Sequence, residues 1–136
     1  MDEQTYFALE AHIVERLSTI EGLLVLTTVD VSDATLKTIN RPTAVVAYVR
    51  DEVTSDGGTE IQVEQTWNVF LICRGPTKER GRADGQLLLR IVQALHGWSP
   101  NDAFDEMTYL GTDTDYVDNA RQYLAAFTVR TKLVIA

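Results

Sequence analysis

Two histidines, one cysteine, a pair of glycines and a run of aspartates are the residues of this chain that could do chemistry. His12 falls beside the apolar stripe of a predicted helix, and His96 falls in the last turn of another, where an imidazole interacts favourably with the helix C-terminus. Neither belongs to an HExxH or similar ligand spacing. Ser18, Ser32, Ser55 and Ser99 lack the Gly-x-Ser-x-Gly elbow of a nucleophile. Ser99 lies three residues from His96, which is adjacency in sequence only and makes no triad. Gly75 and Gly81 bracket a basic loop that lacks the Gly-Lys-Ser/Thr ending of a phosphate loop. Asp113-x-Asp115-x-x-Asp118 has a faint likeness to a calcium loop, without the glycine and the distal glutamate such a loop needs. A solvated acidic turn and a weak divalent-ion site shared between subunits both remain open there. Cys73 is alone, so the chain can form neither an internal disulfide nor a cysteine-based zinc cage. No catalytic, cofactor-binding or metal-ligating set emerges.

Charge is more informative. Over the 136 residues, 12 basic and 20 acidic side chains leave a net charge of -8. That balance does not suit wrapping duplex nucleic acid, which needs clustered Lys and Arg, and it repels anionic membranes. The charge is also segregated. Residues 1–69 hold 4 basic and 12 acidic groups, and residues 70–100 hold 5 and 2. Residues 101–120 hold six acidic groups and no basic one, and residues 121–136 hold three basic groups and no acidic one. Segments of opposite sign on one small chain can pair head to tail between copies, and such contacts close into rings or run into filaments. A solvated surface whose charge simply fluctuates is the alternative.

The elements that would carry these residues can be read from periodicity. Tyr6, Leu9, Ile13, Leu17 and Ile20 recur every three or four residues and predict a helix over 5–20, stopped by Gly22. Leu23–Leu26 leads into a β-branched run and predicts a short strand. Residues 30–40 are mixed, with one helical turn possible over 35–39. Arg41-Pro42 introduces a buried strand over 43–49, and Asp56-Gly57-Gly58 is the turn signal of a hairpin. Residues 61–73 form the clearest strand, with Ile61, Val63, Trp67, Val69, Leu71 and Cys73 on one parity. Its 13 residues are long for a strand and suggest a bulge or a projecting arm.

Residues 74–82 read as a loop and 83–96 as a second helix, in which Asp84, Leu88, Ile91 and Leu95 share a face. Gly97 and Pro100 terminate it. A short strand over 105–111, an acidic turn over 112–119 and a closing strand over 123–135 complete the chain. The predicted class is α+β: a single domain over residues 1–136, with a mainly antiparallel β-sheet and two α-helices packed on one face. No apolar run reaches the length of a membrane helix, and the acidic opening Met1-Asp2-Glu3 is unlike a secretory leader, so a cytoplasmic site of synthesis and assembly is expected.

Several ordered segments carry a resemblance: the first helix ending in Arg16-Leu17, the strand RPTAVVAYV from Arg41, and the strand QTWNVFLIC from Gln65. The helix end ALHGWSP from Ala94 is the most distinctive, and YLAAFTVRTKLV from Tyr123 closes the series. In order, spacing and total length the chain resembles small phage tail proteins of the Mu-like prophage type, related to the tail-terminator proteins of long-tailed phages. The resemblance implies a structural virion protein and no enzyme. It implies a ring, typically of six copies, on the end of the tail tube, which stops tube polymerisation and offers a surface to the head connector. The implied partners are therefore further copies of the chain, the tube protein and the head–tail connector, with no cofactor, no membrane and no specific nucleic-acid sequence. A neck or tail-completion protein that binds the connector is one alternative, and a small α+β ligand-binding domain or enzyme is another.

The resemblance brings no interface residue with it. From charge alone, three segments are candidates for subunit contact: the basic loop (Arg74, Lys78, Arg80, Arg82), the hairpin tip (Asp51, Glu52, Asp56) and the acidic turn (Asp113, Asp115, Asp118). The basic loop is expected to meet an acidic segment of a neighbouring copy.

Overall fold

A computed structural model describes residues 6–32, 40–75, 77–117 and 120–135, with the side chains at 77–80 and 117 excepted. The elements are α1 (Ala8–Leu17), β1 (Leu24–Thr27), a 3-10 turn (Thr28–Asp30), β2 (Thr43–Asp56), β3 (Glu60–Arg74), α2 (Thr77–Leu95), β4 (Thr108–Val117) and β5 (Ala120–Val134). The strands form one sheet in the order β1-β2-β3-β5-β4. Only β1 and β2 run parallel; the other three pairs are antiparallel. The α+β class and the mainly antiparallel sheet are as the sequence predicts.

Alternation along β3 builds the core. Val63, Gln65, Trp67, Val69, Leu71 and Cys73 are all buried on one face of the sheet. Ala44 and Val46 of β2 and Ala125, Phe127 and Val129 of β5 lie beside them. Leu9, Ile13 and Leu17 of α1 and Ile91 and Leu95 of α2 close the same cluster, each completely shielded from solvent. Both helices thus cover one face, because each carries a single apolar stripe and needs a partner for it. Gln65 is the polar member of the buried row. Its Nε2 donates to the Tyr6 carbonyl at 3.0 Å, and its Oε1 accepts from Trp67 Nε1 at 3.1 Å, so both of its ends are satisfied. The other face has one small buried cluster, Val45, Ile72 and Ala120, against which Leu26, Val31 and Phe70 pack.

Several boundaries differ from the sequence expectation, among them the end of α1, the start of α2 and the ends of β2 and β4. Helix α1 stops at Leu17 rather than residue 20. The hydroxyls of Ser18 and Thr19 donate to the carbonyls of Val14 and Arg16, and such side chains compete with helical bonding. Helix α2 begins at Thr77, so residues 77–82 are helix and not loop. Lys, Glu and Arg are good helix formers, and Gly81 and Gly85 sit in open space within the helix at a modest entropic cost.

The expected acidic turn over 112–119 is instead the second half of β4, which pairs with β5 up to Val117↔Ala120. There Thr112, Thr114 and Tyr116 alternate with Asp113 and Asp115, a strand pattern hidden by the acidic composition. Strand β2 continues to Asp56 rather than stopping near residue 49. The hairpin turn follows, with Gly58 at φ +85° donating its N–H to Asp56 Oδ1 at 2.8 Å. The possible helical turn over 35–39 lies outside the described residues.

Candidate functional site

His96 and Ser99, two of the groups that the sequence offers for chemistry, are occupied by structural contacts. His96 Nδ1 accepts the Tyr109 N–H at 3.1 Å. Ser99 Oγ lies 2.7 Å from the carbonyl oxygens of both Asn101 and Phe104, which ties the loop before β4. His12 is half-buried on α1. No cluster of three or more His, Cys, Asp or Glu able to hold a metal ion occurs among the described residues. Among those residues, no helix is long and apolar enough to cross a membrane.

The ALHGWSP segment joins α2 to β4 through backbone bonds. Gly97, at φ +76°, donates to Met107 O, and Met107 donates back to Trp98 O. Arg16, at the end of α1, completes this corner: its Nε donates to Ala94 O at 2.9 Å, and its guanidinium lies 5.4 Å from the Trp98 ring centroid. A cation placed on the last carbonyls of a helix is favoured by the helix dipole, and its contact with Trp98 adds a cation–π attraction. Two of the sequence segments that carry the resemblance therefore meet in space, in a structural role.

One buried polar cluster went unnoticed in the sequence. Arg121 of β5 clasps Asp84 of α2, with Nε to Oδ2 at 2.6 Å and Nη2 to Oδ1 at 3.2 Å. Its Nη1 donates to the Gly75 carbonyl at 2.8 Å, and Tyr123 OH donates to Asp84 Oδ2 at 2.8 Å. Burial pushes the Asp84 carboxyl upward, but hydrogen bonds from Arg121, Tyr123 and Cys73, with the Arg121 charge, outweigh it and hold the group below its ordinary value. The hydrogen bond to Asp84 raises Arg121 against the opposing effect of burial. Burial, then the bond to Asp84, raises Tyr123. The available signal was an aspartate in the apolar stripe of a helix, in register with Leu88, Ile91 and Leu95. Every polar group in this cluster faces a protein partner, so it fixes the start of α2 on the sheet rather than presenting a reactive group.

The contact candidates fall at two ends of the sheet. Arg74 closes β3, and Arg82 is exposed on α2 close after it. Lys78 and Arg80 are in the first turns of α2, and their side chains lie outside the described residues. The hairpin tip is at the other end of β3, about 45 Å away at the usual strand rise. Asp51 and Glu52, expected at the tip, instead lie within the ladder of β2 before it, and Glu52 is exposed on the open face, directly opposite Glu64. Asp51 points to the helix side, with an Oδ2 that is shielded and accepts no hydrogen bond among the described residues. Asp56 is engaged in the turn. Asp113 and Asp115 are exposed on edge strand β4, where Asp115 Oδ1 accepts the Tyr116 N–H at 2.7 Å. Asp118 lies outside the described residues. Within one copy the basic end and the hairpin tip cannot meet.

Edge strand β4 and the part of β2 that lies beyond β1 are blunted against simple strand addition. β4 carries a register shift between Tyr109 and Gly111, with Gly111 at φ +123°, and it carries two exposed aspartates. The free part of β2 carries two shifts, at Tyr48/Arg50 and Val53/Ser55. Irregularity and charge are the usual protections of an edge. A broad depression of about 560 Å³ on the open face holds Glu64, Asp105 and Glu106 around Arg130, with no imidazole or thiol among its lining residues.

Comparison with known proteins agrees with this picture of a structural subunit. No curated protein matches the chain. Among solved structures, a chain from the virion of a native gene transfer agent (GTA) particle is similar in fold, with a TM-score of 0.67 at 14% sequence identity. That similarity covers 95% of this chain and all of the other. The family model for phage tail terminator proteins matches residues 2–135, nearly the whole length, and the chain belongs to that family of structural tail proteins.

Proposed function

We propose that the protein forms a closed ring on the end of a phage or prophage tail tube, stops tube growth and presents a surface to the head connector. Six copies is the expected number, and host cytoplasm is the expected place of assembly. The observation that carries the reading, beside family membership, is that Asp56 at the hairpin and Arg74 at the end of β3 lie at opposite ends of the sheet in one copy, although Asp115 of β4 lies near Arg74. Opposite charges that cannot meet within a copy can meet between copies, and a heterologous contact of this kind closes when the rotation permits. The blunted edges favour contacts through faces and the hairpin over a continuous sheet. The occupied histidine, serines and buried ion pair fit a protein whose polar residues organise its shape.

The test is tube growth. Purified protein added to polymerising tail tube protein should yield capped tubes that no longer elongate, each with one ring at one end. Tubes that elongate at an unchanged rate in the presence of excess protein, and carry no added density at either end, would remove the reading.

A further inference from the structure

The sheet is longer than the helices that cover it. Strand β3 has 15 residues and α2 has 19, so the strand spans about 50 Å and the helix about 28 Å. The buried row on the helix side ends at Val63 and Thr131. Beyond them the same row continues through Ile61 and Leu133, which pair directly and are half-buried, and through Val53, which pairs with Val63 and is 61% exposed. Asp51 lies in this row, with its unpaired Oδ2. Asp56 rims it and is exposed; Glu60 beside it is exposed too, with its Oε1 3.7 Å from Lys132 Nζ of the same copy. An apolar strip with acidic borders is thus left without the helix that covers the rest of its own face.

The outer face of α2 has the complementary character. Arg82, Gln86, Leu89 and Gln93 fall on one exposed stripe at helical spacing, with Arg90 beside it. Leu89 is 55% exposed, an apolar residue set between two arginines. We infer that the projecting hairpin end of one copy lies across the outer face of α2 in the next copy, with Val53 and Ile61 against Leu89 and with Arg82 and Arg90 against the acidic border. The occupant is a second copy because both halves of the match are on this chain, in apolar character and in sign of charge. The two surfaces differ, so the contact is head to tail. This inference rests on the ring reading and specifies its interface.

The experiment is disulfide trapping in the whole protein. V53C and L89C are placed in one chain and oxidised, beside a V29C/L89C control, with mass followed by light scattering. Val29 is exposed on the 3-10 turn, away from the strip. The expected result is a reducible ladder of multimers for V53C/L89C, at least tenfold above the control, and its loss when R82E and R90E are added. Multimers by mass without that ladder, or with an equal ladder in the control, overturn this interface and leave the ring reading standing. A single-chain mass with no ladder at the highest attainable concentration overturns the interface. Whether the same protein still caps tubes then decides the ring reading separately.

Discussion

Asp84 and Arg121 meet through two nitrogen–oxygen contacts, at 2.6 and 3.2 Å, between the first half of α2 and the start of β5. Asp84 is 3% exposed and Arg121 8%. The pair therefore gains from a low local dielectric only while both members are present. Replacing Arg121 by Met should destabilise the fold by about 3–5 kcal/mol, because it strands a buried carboxylate. Replacing both residues by Leu and Met should cost less than Arg121→Met alone. Urea unfolding of the two single variants and the double variant measures the coupling directly.

The same cluster sets a pH response. The folded-state value of Asp84 is depressed, so its contribution is present above the unfolded value of about 3.9 and is lost as pH falls through the lower folded value. Stability should fall with acidification below about pH 4, and Asp84→Asn should flatten that part of the profile. Tyr123 has the opposite sign. Its folded value is raised, so its contribution is present below the unfolded value of about 10 and is lost as pH rises through the folded value. Tyr123→Phe should remove that alkaline dependence in thermal unfolding followed against pH.

Gln65 should tolerate no apolar substitute. Gln65→Leu keeps the volume but leaves the Trp67 indole N–H and the Tyr6 carbonyl without their partner. An unsatisfied buried donor costs about 1–3 kcal/mol. Chemical denaturation of Gln65→Leu, with tryptophan fluorescence as the probe, should show a loss in that range and an altered Trp67 signal.

Arg16→Ala should loosen the corner at the C-terminus of α2. It removes the hydrogen bond to Ala94 O and the contact with the Trp98 ring. Each is worth about 0.5–1.5 kcal/mol. Hydrogen exchange should rise in residues 94–98 more than in the centre of β3.

Charge reversal at the basic end should act on assembly and not on folding. Arg82 is exposed, so Arg80→Glu with Arg82→Glu should leave the melting temperature within a few degrees. Exposed pairs contribute about 0–1 kcal/mol each and are screened by salt. The assembled fraction, read by light scattering near six times 15.2 kDa, should therefore drop in the variant and also drop at high salt in the parent.

Periodicity alone determined the order of elements, the α+β class and the buried face of β3. Apolar side chains every second residue in a strand, or every third or fourth in a helix, demand one covered face whatever the partner. The turn at Asp56-Gly57-Gly58 was legible for the same local reason: it depends on its own residues. The ends of the elements were not. The extent of β4 depends on β5 lying beside it, so the alternation of Thr112, Thr114 and Tyr116 became a strand only through pairing. The pairing of Asp84 with Arg121, 37 residues away, is likewise decided by the tertiary structure. The contact surfaces belong to this second kind. Charge composition marked acidic and basic segments, yet only the tertiary structure placed the hairpin acids far from Arg74, brought Asp115 near it, and left Val53 beyond the reach of its own helices. Sequence distance carries no record of which strand edge or helix end will lie next to which, because that is decided by long-range packing.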